Sequence, residues 1–264
     1  MDFTIDKYKE LLKALKKHHG FSIRHDVDQR PDFSLRIAQV EAEMGVTATY
    51  YFRTVPESYD EEIIKQIVSV GHTAGYHYEC LTTCNGDTEA AYEDFCRNLE
   101  KLRKVVPITT ACAHGSPRSP WNSQLIWETS RRRDVETSRH YDIHTLGIEY
   151  EPMLDTDFSK TLYLTDTGRR WDGYKVSVRD KVPEYQEQWT KEGLVFHTTD
   201  DIIQALRNPE HPIHKHDLLI NTHPQRWMPF GSGWLKETAL QNLKNIAKSF
   251  IITKELKRRK RLTN

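Results

Sequence analysis

Residues 21–28 read Phe21-Ser22-Ile23-Arg24-His25-Asp26-Val27-Asp28, an apolar start that passes into charged residues. This pattern is typical of a β-strand that runs into a polar loop. Asp26 and Asp28 are two positions apart, so on a strand their side chains point to the same face. Two neighbouring carboxylates repel each other unless a cation or a proton gives them different roles. The segment therefore predicts a strand whose carboxyl end contributes residues to a functional site.

Helix and strand patterns alternate on both sides of this strand. Further strands are predicted at 46–53, 73–78, 108–113, 162–165, 174–178 and 218–222. Helices are predicted at 7–18, 32–44, 60–70, 88–104, 124–131, 200–207 and 235–254, with Asp32 as an N-cap. This rhythm favours parallel βαβ units, and hence an α/β fold that is either a barrel or a wound sheet.

Ionisable residues stand at five of the predicted strand ends. They are found in the segments 24–28, 77–79 and 114–116, at Asp166, and in the segment 221–223. In both candidate architectures the ligand site forms at the carboxyl ends of the strands. One such group is ordinary, but five together are difficult to explain by structure alone. They predict a functional site.

The residue types at these ends favour metal-assisted hydrolysis. An Asp and a His on neighbouring strands can bind a divalent ion such as Zn²⁺. Such an ion polarises a carbonyl and lowers the pKa of a bound water. His223 ends a late apolar strand and could protonate a leaving amine. The alternatives are that the aspartates cap a loop or a helix and that His223 is structural.

A second group is expected to contact a sugar. Trp171 could stack on a pyranose face, while Asp166, Arg169 and Arg226 could bind its polar groups. The alternative is a surface turn with a core tryptophan.

The composition limits the class of protein. Lys plus Arg and Asp plus Glu both number 38, so no net charge attracts the chain to nucleic acid. We see no apolar stretch that approaches the roughly 20 residues of a membrane-spanning helix, and no signal-peptide pattern at the start. The four cysteines show no pairing framework. We therefore expect a cytoplasmic protein.

A basic run closes the sequence, with Lys-Arg-Arg-Lys-Arg at 257–261. We expect it to be a solvated helix end or tail. An anchor for an anionic surface is the alternative.

The motifs together resemble the NodB-homology polysaccharide deacetylases, carbohydrate esterase family four. Asp26-Val27-Asp28 resembles the Asp-x-Asp form of that family's first motif. The similarity continues through 45–52, 71–72, 75–77 and 220–223, and covers about 20–225. It is closest to a divergent branch met in surface-polysaccharide (O-antigen type) biosynthesis.

The resemblance implies a distorted (β/α) barrel with parallel strands. It would form a single catalytic domain over 1–264, with a core at about 20–225 and a C-terminal helix at 235–262. It also implies that Asp26 is the catalytic base, that Asp28 and His77 are metal ligands and that His223 is the catalytic acid. Zinc is the expected ion.

The chain departs from the family's pattern at two places. Leu81 occupies the position of the family's second ligand histidine, so Glu79, His114 or a water is expected to complete the site. The family's Arg-Pro-Pro motif, which orients the base, is replaced by the segment 114–119. Arg24 or Arg118 could take that role, and both are expected to contact substrate together with Ser116.

The implied reaction is hydrolysis of an N-acyl group, expected to be acetyl, from a nucleotide- or lipid-linked amino sugar in the cytosol. Two alternatives remain. One is an amidase that acts on small non-sugar amides. The other is a non-catalytic sugar-binding relic, which the presence of Leu81 would explain.

Overall fold

The computed structural model describes residues 1–116, 119–128, 141–175, 177 and 180–246. The chain divides into two compact units. The terminal unit consists of Met1–Ile23 with Phe158–Asn264, and the central unit consists of Arg24–Asp157.

Parallel strands form the framework. Their bounds are β1 Phe21–Val27, β2 Thr49–Phe52, β3 Thr73–Tyr78, β4 Ala111–Ala113, β5 Thr161–Thr165 and β6 Asp217–Thr222. The strand order is β4-β3-β2-β1-β6-β5, and the registers of β1 with β2, β2 with β3, β3 with β4 and β5 with β6 are all parallel. The predicted α/β class is confirmed, with parallel strands in an order consistent with a distorted (β/α) barrel.

Helices connect the strands. Their bounds are α1 Ile5–Leu15, α2 Pro31–Glu43, α3 Glu61–Ser69, α4 Cys80–Thr83, α5 Thr88–Arg103, α6 Leu125–Glu128, α7 Pro152–Asp155, α8 Pro183–Lys191 and α9 Thr199–Arg207. Residues 232–246 are also helical, and we call them the C-terminal helix. No helix in the described part of the chain is both long and apolar enough to cross a bilayer.

Side-chain caps fix where several helices begin. Asp60 accepts hydrogen bonds from the backbone N–H groups of Glu62 and Ile63 at the start of α3, and Asp87 caps α5 in the same way. The predicted cap of α2 was wrong. Asp32 lies inside the first turn of that helix, whereas the N-cap position belongs to Arg30, which has left-handed backbone angles. Proline at the first helical position starts α2 instead.

Each unit buries its own apolar core. In the terminal unit α1 buries Tyr8, Leu11, Leu12 and Leu15, which are all 0% exposed, and α1 packs on α9. In the central unit Tyr50, Phe52, Ile64, Ile67 and Phe95 are equally buried. Full burial of such a side chain contributes roughly 1.5–3 kcal/mol.

Three predicted strands differ from the structure. The segment predicted as a strand at 174–178 begins as a 3-10 helix, Gly173–Lys175. The carboxylate of Asp172 accepts hydrogen bonds from Arg170 and Lys175, and local bonds of this kind compete with a β-ladder. The strands predicted at 46–53 and 108–113 are shorter, Thr49–Phe52 and Ala111–Ala113.

Two predicted helices are described only in part. The one predicted at 124–131 is present as α6 (Leu125–Glu128), and 129–131 lie outside the described residues. The C-terminal helix is described to residue 246.

Candidate metal centre

Three strands of the central unit bring polar residues to one edge. Asp26 lies on β1 and His77 on β3, while Asp28 and His114 follow the ends of β1 and β4. The partner of His77 in the register of β3 with β4 is Cys112. Because these strands are parallel, their carboxyl ends meet at this edge, as predicted from the strand-end pattern.

Gly75 lets the strands approach each other closely. A Cβ atom at this position would stand 2.5 Å from the ring of Tyr51 on β2. The hydroxyl of Tyr51 pairs with Thr110 Oγ1 at 2.8 Å, so the ring is held in place against the glycine. A side chain at position 75 would therefore displace the Tyr51 ring from β3, the strand that carries His77.

Asp28, His77 and His114 form a group that could hold a metal ion. One ligand atom from each lies within 4.8 Å of the others. Asp28 Oδ1 is 3.3 Å from His114 Nε2 and 3.7 Å from His77 Nε2. The His77 side chain is buried, but the side chains of His114 and Asp28 are 16% and 27% exposed. We call these three residues the metal triad.

Hydrogen bonds fix the tautomers of both histidines. Nδ1 of His77 is 2.9 Å from the backbone carbonyl of Cys112, and Nδ1 of His114 is 2.9 Å from Glu79 Oε2. A carbonyl or a carboxylate oxygen can only accept, so both Nδ1 atoms carry the proton. Both Nε2 atoms face Asp28 Oδ1 while their Nδ1 atoms are held elsewhere, the arrangement usual for histidines that bind metal.

Glu79 is hydrogen-bonded to His114 and is not itself a member of the metal triad. Its Oε1 accepts hydrogen bonds from Arg53 Nε at 2.9 Å and Nη2 at 2.5 Å, and its Oε2 pairs with His114. Ser116 Oγ also donates to Oε2 at 3.3 Å. Of the two side chains considered as a third ligand, the geometry brings His114 to Asp28 and His77 and places Glu79 behind His114.

The pKa values of these groups follow from burial and charge. Burial raises the pKa of Glu79, but the hydrogen bond and charge of His114, together with Arg53, outweigh it and lower that pKa to about 2. Burial lowers the pKa of His77 although Asp26 and Asp28 act in the opposite direction. Glu79 is therefore anionic and His77 neutral near pH 7, and a neutral imidazole is the form that binds metal.

Asp26 lies beside the triad and is held by Arg24. Arg24 Nη2 donates to Asp26 Oδ2 at 3.2 Å, and Nη1 donates to Cys112 Sγ at 2.8 Å. Asp26 Oδ2 is 3.9 Å from His77 Nε2. Asp26, His77 and Cys112 form a second group of possible ligands, so His77 is common to both.

Sequence reasoning missed Arg53 and Cys112. Arg53 ends the second predicted strand, and the strand-end criterion applied to the other strands would have found it. Cys112 carries a weaker signal, because its position opposite His77 depends on a register that the sequence alone does not reveal.

The terminal unit contains a second polar cluster, formed by Asp166, His223, Arg226 and Trp227. Asp166 Oδ1 is 2.7 Å from His223 Nδ1 and accepts from Arg226 Nη1 at 2.7 Å. Asp166 Oδ2 accepts from the backbone N–H of His223 at 3.1 Å and from Trp227 Nε1 at 2.9 Å. We call this the Asp166 cluster.

The Asp166 cluster is buried and strongly charged. Asp166 is 0% exposed. Burial raises its pKa, but Arg226 and His223 outweigh that effect and lower it to about 2. The carboxylate is therefore ionised and orients the imidazole of His223, whose Nδ1 also lies 2.9 Å from Arg226 Nη1. Both carboxylate oxygens of Asp166 are hydrogen-bonded within the cluster. The predicted contact of Asp166 with substrate stays a prediction.

Trp171 is buried and Arg169 is half-buried. The Arg169 guanidinium lies 5.5 Å from the Phe3 ring centroid and 5.3 Å from that of Trp234, and none of its nitrogens has a hydrogen-bond partner among the described residues. Trp171 is 4% exposed and donates from Nε1 to Thr199 Oγ1. Contact with substrate stays a prediction for both, and Arg118 lies outside the described residues.

No protein-family model matches this chain, and a search of characterised proteins finds no match. The motifs of the sequence and the geometry of the metal triad are therefore the features that bear on function.

Proposed function

We propose that this protein is a metal-dependent hydrolase that removes an N-acyl group, expected to be acetyl, from an amino sugar. One observation carries the proposal: His77 Nε2 and His114 Nε2 both approach Asp28 Oδ1, while their Nδ1 atoms are engaged elsewhere. Two imidazoles and one carboxylate are a ligand set that suits zinc.

The metal triad fits a divalent ion by its chemistry. Asp28, His77 and His114 would hold the ion, and the Cys112 carbonyl and Glu79 would orient the two rings. When bound, such an ion acts as a Lewis acid for a carbonyl oxygen and lowers the pKa of water.

Asp26 is the proposed general base. It lies next to the triad, and Arg24 holds one of its oxygens. In the proposed reaction Asp26 takes one proton from the attacking water. Arg24 acts as a positioning residue, because it keeps the carboxylate in place through a charge-assisted hydrogen bond.

His223 is the proposed general acid. This role rests on the resemblance of the segment 220–223 and on the contact of His223 with Asp166. An ionised carboxylate at Nδ1 favours the imidazolium, which can give a proton to a leaving nitrogen. Attack of water on the amide carbon, cleavage of the C–N bond and this protonation release a carboxylic acid and a free amine.

The proposed substrate is a nucleotide- or lipid-linked amino sugar used in cytoplasmic surface-polysaccharide (O-antigen type) synthesis. This part of the proposal rests on the resemblance alone.

Leu81, which suggested a lapsed enzyme, is 3% exposed in the core of the central unit. His114 supplies the third ligand atom that Leu81 lacks.

The test is release of acetate from N-acetylated nucleotide sugars by the zinc-loaded protein, before and after treatment with a chelator. We expect release that the chelator abolishes and that added zinc restores. Release from simple N-acyl amines with none from sugars would favour an amidase. Sugar binding without release of acetate, by a protein that retains no metal, would favour a binding relic and contradict the proposal.

A further inference from the structure

The C-terminal helix contacts the rest of the terminal unit through hydrogen bonds of its side chains. Trp234 Nε1 donates to the backbone carbonyl of Asp2 at 2.9 Å, and Asn245 Nδ2 donates to that of Gly168 at 2.8 Å. Gln241 is 8% exposed and donates to Asn245 Oδ1. These three positions are spaced seven and four residues apart, so they share one face of the helix.

The opposite side of the helix is apolar and faces water. Leu235, Leu243 and Ile246 are 56%, 64% and 55% exposed, and their spacing of eight and three residues aligns them along one stripe. Leu240 and Phe230 are 42% and 58% exposed. A helix on a globular protein normally buries its apolar stripe, so this helix is oriented the opposite way.

An apolar surface of this kind marks an interaction site more often than chance exposure. Single exposed apolar residues are normal, but here five lie within 17 positions of the chain, 230–246. We call the four that lie on the helix, Leu235, Leu240, Leu243 and Ile246, the exposed apolar stripe.

The charge of the chain is concentrated in the same region. Residues 231–264 contain nine Lys or Arg and two Glu, a net charge of +7. The remaining 230 residues contain 29 Lys or Arg and 36 Asp or Glu, a net charge of −7. The overall charge of zero therefore conceals a strongly basic C-terminal segment that begins at the exposed apolar stripe.

We infer that the exposed apolar stripe and the basic segment dock this protein on an anionic lipid surface. The apolar face would insert between lipid headgroups, and the clustered Lys and Arg that follow it in the sequence would attract acidic lipids. A second copy of this chain is a poorer occupant, because two segments of charge +7 would repel each other. Nucleic acid would use the charges and leave the apolar side chains in water.

The experiment is co-sedimentation of the full-length protein with lipid vesicles. One set of vesicles contains phosphatidylcholine alone, and the other contains phosphatidylcholine with phosphatidylglycerol. We expect binding to the anionic vesicles, little to the neutral ones, and weaker binding as salt is raised.

Two variants separate the apolar and the electrostatic contributions. Leu243→Glu is expected to weaken binding to anionic vesicles by about tenfold or more, since it removes one apolar anchor and adds repulsion. Arg258→Gln combined with Arg259→Gln is expected to weaken it by about fivefold per charge. Val70→Glu is the matched control, because Val70 is an exposed apolar residue of the central unit, 38% exposed, and this variant should bind as the unaltered protein does.

Thermal unfolding of Leu243→Glu checks its fold, and the 64% exposure of Leu243 predicts an unchanged melting temperature. Absence of binding to either kind of vesicle would overturn the inference. So would binding that Leu243→Glu leaves intact, because the stripe would then have no part in it. A dimer in light scattering that Leu243→Glu dissociates, without vesicle binding, would assign the stripe to self-association instead.

Discussion

The role of Glu79 depends on its position, one residue beyond the end of β3. Side chains alternate along β3, which ends at Tyr78, so the two-residue spacing from His77 predicts a shared face. Glu79 stands one position beyond the strand with backbone angles φ −137 and ψ 25, which are not those of a strand. Its carboxylate consequently turns to Arg53 and His114. The histidine that completes the triad is distant in sequence, and no local pattern distinguishes it from other strand-end residues.

Glu79→Gln is expected to weaken zinc binding while the three ligands stay in place. Loss of the carboxylate behind a ligating histidine typically lowers metal affinity by about 10–100-fold. Competition with a chromogenic chelator measures the affinity. Ser116→Ala, which removes a neutral hydroxyl that contacts Glu79 Oε2 and His114 Nδ1 but keeps the carboxylate, is the matched control and should have a smaller effect. Unchanged zinc affinity in Glu79→Gln would mean that the hydrogen bond between His114 and Glu79 does not contribute to zinc binding.

Asp26→Asn is expected to keep the metal and to lose turnover. The amide is close in size to the carboxylate but cannot accept a proton, and loss of a general base slows hydrolysis by about 10²–10⁴-fold. Acetate release measures the rate, and metal content is determined on the same sample. If this variant lost its metal as completely as Asp28→Ala, the roles assigned to Asp26 and Asp28 would have to be exchanged.

At the scale of elements, the regular strands and helices were predictable and the irregular segments on either side of β5 were not. From β1 to α5, apart from the four-residue α4, the strands and helices have regular apolar spacing, and the predicted bounds lie close to those observed, as they do for β5, β6 and α9. The described segments on either side of β5 include short helices held by side-chain bonds, such as those of Asp172 with Arg170 and Lys175. Such bonds depend on three-dimensional neighbours, so a strand was predicted where a 3-10 helix lies.

The Asp166 cluster is expected to make stability depend on acid pH. The folded-state pKa of Asp166, about 2, lies below its ordinary value of 3.8. A depressed carboxyl pKa contributes stability that is complete above the unfolded-state value and is lost as pH falls towards the folded-state value. The contribution is about 2 kcal/mol, and it should disappear between about pH 4 and pH 2.

Urea unfolding of the protein and of Asp166→Asn across this pH range measures that effect. The variant should be less stable at pH 7, and its stability should change less between pH 4 and pH 2. Asp200→Asn, at a side chain that is 59% exposed, is the control and should follow the unaltered protein. Parallel curves for the protein and Asp166→Asn would mean that Asp166 contributes no acid dependence.

At the scale of the whole molecule, the described features divide between the two compact units. The metal triad and Asp26 belong to the central unit, whereas the Asp166 cluster and the C-terminal helix belong to the terminal unit. The motifs were predictable because parallel strands place ionisable residues at their carboxyl ends. The orientation of the C-terminal helix was not predictable from the sequence. The spacing of its apolar residues alone would have assigned them to the core.

Zinc is expected to stabilise the folded protein, because the triad brings together three ligands from separate strands. A ligand that binds only the folded state at 100 times its dissociation constant adds about 2.7 kcal/mol to the free energy of unfolding. Thermal unfolding with and without added zinc measures this gain. His114→Ala should not show it, whereas His197→Ala, at a histidine whose side chain is 65% exposed, should.

The most direct test of the metal triad is elemental analysis of the purified protein and of Asp28→Ala, His77→Ala, His114→Ala and Glu79→Ala. We predict about one divalent ion per chain in the unaltered protein, loss of that ion in the first three variants, and weaker but detectable binding in Glu79→Ala. No ion in the unaltered protein after incubation with zinc or cobalt would contradict the metal site. Retention in His114→Ala with loss in Glu79→Ala would mean that Glu79, and not His114, is the third ligand.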